Sequence, residues 1–170
     1  MRAYAITNKL FDGKQKVHHD QTIIQNEIDR QMDYGMRENM RKKSGIVYDS
    51  WLCGFLSQGI PGIYKILVVC GDDAVRVDRL ANRDDLTISQ AKEHIFARER
   101  KNVEKWKKMY AKEWREWVVK PGTVKKNRPV FYWYPEMYDL VIDTYKASKR
   151  EAFSLAWSGL LKNQSSGTIR

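Results

Sequence analysis

An α/β fold is predicted by three features of this sequence. Ile66-Leu67-Val68-Val69-Cys70 is a short apolar, β-branched run closed by Gly71-Asp72-Asp73. Lacking polar alternation, it reads as a strand buried on both faces, as parallel sheets require. Arg76, Arg79 and Arg83 follow at helical spacing, which brings all three to one side of a helix. Thr87-Ile88-Ser89-Gln90 then supplies a capping box for a second, longer helix carrying Arg98, Arg100, Lys101 and Lys105. A strand, an arginine-faced helix, a turn and a basic helix can together present guanidinium forks to a polyphosphate.

From the start of the chain, Tyr4-Ala5-Ile6 reads as a short strand ending at Thr7. Residues 21–43 carry the pattern of one amphipathic helix. Thr22-Ile23-Ile24-Gln25 can cap it, and Ile24, Ile28, Met32, Met36 and Met40 recur every four residues. The methionines are expected to face the core, and Asp29 and Asp33 to be solvated. Arg41, Lys42 and Lys43 suit the last turn, and Gly45 ends the helix. Ile46-Val47 is predicted to enter the sheet and leave it at Asp49, a carboxylate placed for a water-bridged magnesium or a substrate hydrogen bond. Gly59-Ile60-Pro61-Gly62 turns the chain into the central strand.

Residues 88–118 predict a long helix with a break near Lys101-Asn102. Trp106, Tyr110, Trp114 and Trp117 form an aromatic stripe on it, flanked by Lys105, Lys107, Lys108, Lys112 and Arg115. Inward packing of the rings with solvated lysines is the preferred reading. The alternative is a surface that stacks single-stranded nucleic acid. Lys120 to Pro129 is a basic loop, and Phe131 to Tyr134 returns the chain to an apolar run, Leu140-Val141-Ile142. Ser148-Lys149-Arg150-Glu151 is a capping box for a final helix through about Leu161. Residues 1–162 are expected to form one domain and residues 163–170 a disordered tail.

The formal net charge of +10 favours anionic partners: nucleotides, nucleic acid or acidic surfaces. No stretch approaches the ~20 apolar residues of a membrane span, so no membrane partner is expected. Cys53 and Cys70 have no metal-type spacing and read as buried, reduced thiols of a cytoplasmic protein. His18, His19 and His94 make no ligand set with them, and no protein metal cage is read.

The pattern R-x-x-R-L-A-x-R-[DE] at Arg76 to Asp84, then Ile95-x-x-Arg98-Glu99 and Tyr110, resembles the lid region of cytidylate kinases. Ile46 to Phe55 is similar to that family's strand and turn before D/E-[GS]-R-L-A, and Tyr138 to Thr144 to its last strand. The resemblance implies a P-loop kinase-like fold of three layers, with a parallel sheet and a helical lid at about residues 76–118. It implies transfer of the γ-phosphoryl of ATP, with Mg as cofactor, onto CMP or dCMP. It gives Arg79, Arg83, Arg98 and Lys105 the catalytic lid positions, with Arg76 assisting at the cofactor. Asp143 and Thr144 would line the adenine pocket, and Asp49, Thr7 and Asp29 would face the monophosphate.

The chain departs from the family in places. Trp51 stands where the family has a phosphate-holding arginine after Asp-Ser, and an indole offers one donor and no charge. Asp12 stands where another arginine is found. No G-x-x-x-x-G-K-[ST] occurs: Gly13-Lys14 has Asn8 at the first glycine position and Gln15 at the hydroxyl position. The first strand-loop-helix of the fold is therefore missing from these residues. The chain is expected to be either a shortened kinase or a degenerate relative, with little or no kinase activity from these residues alone. A non-catalytic nucleotide-binding protein and a basic nucleic-acid-binding module are the rival readings.

Overall fold

The computed structural model describes residues 26–165 and Gly167. The strand expected at Tyr4–Ile6, the run from Thr7 to Asp12 and the cap at Thr22–Gln25 lie outside the described residues.

Helix α1 spans Asn26–Lys42 and buries Asp29, Asp33, Arg37 and Met40. This corrects the expectation of solvated aspartates, while the expected inward methionines hold at Met40. Positions 29, 33, 37 and 40 share one side of the helix, and its charged groups tolerate burial because partners wait for them on other elements. Met36 packs half-buried at the edge of the core.

No strand forms at residues 46–49. Ile46 and Val47 are exposed, Val47 to 95%, and among the described residues no neighbouring strand pairs with them. Apolar residues alone do not make a strand without a ladder to join. Helix α2 (Cys53–Leu56) then turns Phe55 and Leu56 into the core. Gly54 permits this close approach, since a Cβ there would lie 2.2 Å from Tyr138 Cε1.

The described sheet is a single parallel pair, β1 (Ile66–Val69) and β2 (Leu140–Asp143), with Ile66 opposite Leu140 and Val69 opposite Asp143. Leu67 and Ile142 are buried, but Val68 is 61% exposed and Val141 is exposed too. The expectation of a strand buried on both faces is corrected by the register. Leu67 pairs with Val141 and Val68 with Ile142, so each face is covered over one strand only.

Between the strands, α3 (Asp73–Asp84) starts at Asp72, whose carboxylate accepts from the Val75 amide at 2.9 Å. It ends at Asp85 in left-handed backbone. Helix α4 (Ile88–Lys92) opens with the expected capping box of Thr87 and Gln90. A π-helical turn at Glu93–Ala97 leads into α5 (Arg98–Met109). The helix is continuous through Lys101 and Asn102 and breaks instead at Tyr110, whose ring is fully buried and whose hydroxyl is held by Asp33. Helix α6 (Ala111–Trp114) and a second π-helical turn (Arg115–Val119) follow.

Helix α7 (Lys149–Ser165) is capped reciprocally by Ser148 and Glu151, as expected. It continues four residues past Leu161 and so takes in the first part of the predicted tail.

The main core lies among the helices, away from the sheet. Phe55, Leu56, Trp106, Tyr110, Trp114 and Tyr132 are its largest members. Phe55 sits 4.8 Å from Tyr132, 5.8 Å from Tyr110 and 6.3 Å from Trp114, measured between ring centroids. The stripe from Trp106 to Trp114 is thus spent on packing, which removes it as a surface for nucleic acid. A smaller cluster of Val77, Ala81 and Ala91 joins α3 to α4. Among the described residues, no helix is long and apolar enough to cross a membrane.

Candidate functional site

Open parallel sheets present ligands at the carboxyl ends of their strands. Here those ends are Cys70 to Asp72 after β1 and Asp143-Thr144 after β2. The Val69 carbonyl accepts from both the Thr144 amide and its hydroxyl, each at 2.8 Å. The Asp143 carboxylate accepts from the amides of Gly71 at 2.8 Å and Tyr145 at 3.0 Å. Those two amides hold the Asp143 carboxyl below the usual carboxylate range. The fit leaves no room at Gly71, where a Cβ would lie 2.6 Å from Asp143 Oδ2.

Helix α3 springs from this corner with its arginines on one side. Arg79 Nη1 donates to the Thr144 hydroxyl at 3.1 Å and Nη2 to the Thr144 carbonyl at 2.9 Å. Arg76 bridges Asp73 at 3.3 Å and Glu99 at 3.1 Å, tying α3 to the first turn of α5. Arg83 holds Asp84 through Nε at 2.8 Å and Nη2 at 2.9 Å. With Leu80 and Ile95, the three arginines line an open cleft of about 290 Å3. Ion pairs at such exposure contribute little, so phosphate oxygens can displace these carboxylates without a large loss.

A second polar constellation is buried between α1 and the α5–α6 helices. Lys105 Nζ meets Asp29 Oδ2 at 2.6 Å, with both side chains nearly enclosed. Burial pushes the Asp29 carboxyl up, and Lys105 opposes the effect without cancelling it. One turn on, the Tyr110 hydroxyl donates to Asp33 Oδ2 at 2.6 Å. Burial raises the Asp33 carboxyl to about 6, against the pull of that hydrogen bond. Arg30 Nη2 reaches Glu113 at 2.6 Å, and Tyr34 donates to the same carboxylate. Burial would raise Glu113, but the bonds from Tyr34 and Arg30 outweigh it and hold its carboxyl below the ordinary value. Arg37 donates to the Leu56 and Gln58 carbonyls and lies 3.7 Å over the Trp117 ring, and burial brings its guanidinium down to about 10.

Of the residues singled out by sequence, Arg79, Asp143 and Thr144 meet at the sheet end, and Arg76 and Arg83 line the cleft along α3 with Arg79. Asp29 and Lys105 meet each other in the buried seam. The Arg98 guanidinium lies 4.6 Å over the Trp51 ring. Asp49 is exposed, with no hydrogen bond or ion pair among the described residues. Thr7 lies outside the described residues. Sequence reasoning missed Asn102, which is completely buried with neither amide atom partnered. It shares the α5 face of Arg98 and Lys105, at i+4 from one and i−3 from the other, and that spacing was the available signal.

Among the described residues, no group of three or more His, Cys, Asp or Glu side chains is arranged to hold a metal.

The sequence profile of the cytidylate kinase-like family matches residues 3–146. Over 128 residues the chain is 28% identical to a protein named cytidylate kinase from Halobacterium salinarum (strain ATCC 29341 / DSM 671 / R1), an alignment covering 74% of this chain. The chain spans 62% of that relative's length. No solved structure matches it significantly.

Proposed function

The chain belongs to the cytidylate kinase-like family, and from that premise we propose that its arginine cleft binds nucleotide phosphates, those of ATP against CMP or dCMP. The observation that carries this reading is the lining of one cleft by Arg76, Arg79 and Arg83, with Arg79 reaching Thr144 at the carboxyl end of β2. In phosphoryl transfer, catalysis comes mainly from positioning and from neutralising the charge of the moving group. Arg79 and Arg83 supply that charge from α3, and Arg98 from α5, with Arg76 bracing the two helices through Glu99.

Asp143 and Thr144 border the adenine side. Asp49, Thr7 and the Asp29–Lys105 pair belong to the monophosphate side, where the buried Asn102 amide adds two unspent hydrogen-bonding atoms. Mg2+ bound with the ATP phosphates would neutralise part of their charge, and Asp49 is the carboxylate that would meet its water shell. Residues 76–118 act as a helical lid within one domain of residues 1–162. The parallel strand pair and its helices are compatible with a layered P-loop kinase-like arrangement. The two free cysteines suit a cytoplasmic protein.

The 170 residues hold no G-x-x-x-x-G-K-[ST] motif, so the proposal is nucleotide binding with weak turnover. A coupled assay of ADP formation from ATP and CMP tests it alongside an equilibrium titration of each nucleotide. Saturable binding is expected, with turnover far below the roughly 1–100 s−1 of ordinary kinases. Ordinary turnover would overturn the weak-activity reading, and absence of any nucleotide binding would overturn the site.

A further inference from the structure

The segment from Trp117 to Pro135 contains Lys120, Lys125, Lys126 and Arg128 and no carboxylate. Lys120, Lys125 and Lys126 are exposed and form no ion pair among the described residues. Directly after them the chain lays out aromatic rings that the main core does not enclose. Phe131 is 38% exposed and Trp51 36%, with the half-buried Trp133 between them. Ring centroids are 5.4 Å apart from Phe131 to Trp133 and 6.0 Å from Trp133 to Trp51. The ladder is held rigid, since Trp133 Nε1 donates to the Trp51 carbonyl at 2.9 Å. The rings meet edge to face, at 83° and 85°, and Phe131 and Trp51 stay partly open to solvent. Arg98 stands over the outer end at Trp51, and Arg128 stands 3.7 Å over Tyr134 near the other end.

We propose that this ladder of Trp51, Trp133 and Phe131, with the basic loop of Lys120, Lys125 and Lys126, binds a single-stranded polynucleotide. Partly exposed rings that follow closely in sequence on cations without ion pairs match the two requirements of such a partner, base stacking and backbone neutralisation. An acidic polypeptide would answer the charge but leave the ring faces unused. The rings and lysines of this surface are distinct from the buried Trp106–Trp114 stripe and from the cleft of Arg76, Arg79 and Arg83, and the surface borders the proposed nucleotide site only at Arg98, over Trp51.

The experiment is fluorescence anisotropy of labelled 20-mers of oligo-dT and oligo-rU, measured from low to physiological salt. Wild type is expected to bind at least one of them, and which one tells DNA from RNA. With about three lysine contacts to phosphate, log affinity should fall against log salt with a slope of about −2. The double variant Lys125→Ala/Lys126→Ala should lower that slope by about 1.4. Phe131→Ala should weaken binding by roughly 5- to 150-fold, the loss of one stacked base. Both sites are exposed loop positions, and an unchanged circular dichroism melt will show that the fold is intact. ATP titration of the same variants should be unaffected, and ATP should not displace the oligomer.

Four results would overturn the proposal: no binding of either oligomer at low salt, equal binding of poly-glutamate, an unaltered affinity in Phe131→Ala, or displacement by ATP together with loss in Arg79→Ala.

Discussion

Asp33 allows the buried seam to be tested quantitatively. Asp33 is 5% exposed, its carboxylate accepts one hydrogen bond from Tyr110, and it lies within the influence of Asp29 one turn back on α1 and of Lys105 across the seam. Moving a carboxyl from 3.8 to about 6 favours its neutral form in the fold by roughly 3 kcal/mol. Between about pH 4 and pH 6 the folded chain keeps a proton that the unfolded chain has released. This contribution to stability is therefore complete below pH 4 and is lost as pH rises through 6. Asp33→Asn cannot ionise, and its amide oxygen can still accept from Tyr110. The variant's unfolding free energy, relative to wild type, should therefore rise by up to ~3 kcal/mol from pH 4 to pH 7. Urea unfolding followed by tryptophan fluorescence at half-unit pH steps measures this, because other titrating groups contribute alike to both proteins. A difference that stays constant across the window would refute the reasoning.

Three further substitutions probe other parts of the account. Lys105→Met leaves Asp29 buried beside no cation and should cost about 3–5 kcal/mol in urea unfolding, much of it recovered in Asp29→Asn/Lys105→Met. Phe55→Ala opens a cavity among Tyr110, Trp114 and Tyr132 and should cost about 3–5 kcal/mol by the same measurement. Gly71→Ala drives a methyl group into Asp143, and should weaken ATP binding in calorimetry more than it lowers the melting temperature.

The local elements were largely legible in the sequence. The capping boxes at Thr87–Gln90 and Ser148–Glu151 formed as read, because their hydrogen bonds join residues three apart. The inward aromatic stripe was legible from its spacing, and the Arg76, Arg79 and Arg83 face for the same reason. What escaped depends on partners distant in sequence. Asp29 and Asp33 looked like solvated carboxylates because nothing within α1 reveals Lys105 and Tyr110 waiting across the seam. Ile46-Val47 looked like a strand, but strand formation is decided by a neighbour, and the described sheet offers it none. Val68 was expected to be covered on both faces, yet coverage depends on the layers packed over the sheet. Asn102 was taken for a break because a polar residue in a basic helix carries no local sign of burial.

The most direct test of the arginine cleft is calorimetric titration of ATP into wild type, Arg79→Ala and Arg79→Lys, with melting curves recorded on each. Saturable binding to wild type is predicted, weakened about tenfold or more in Arg79→Ala and only partly restored in Arg79→Lys, which keeps the charge but loses the fork. Equal affinities across the three folded proteins would contradict the assignment of this cleft to nucleotide phosphates.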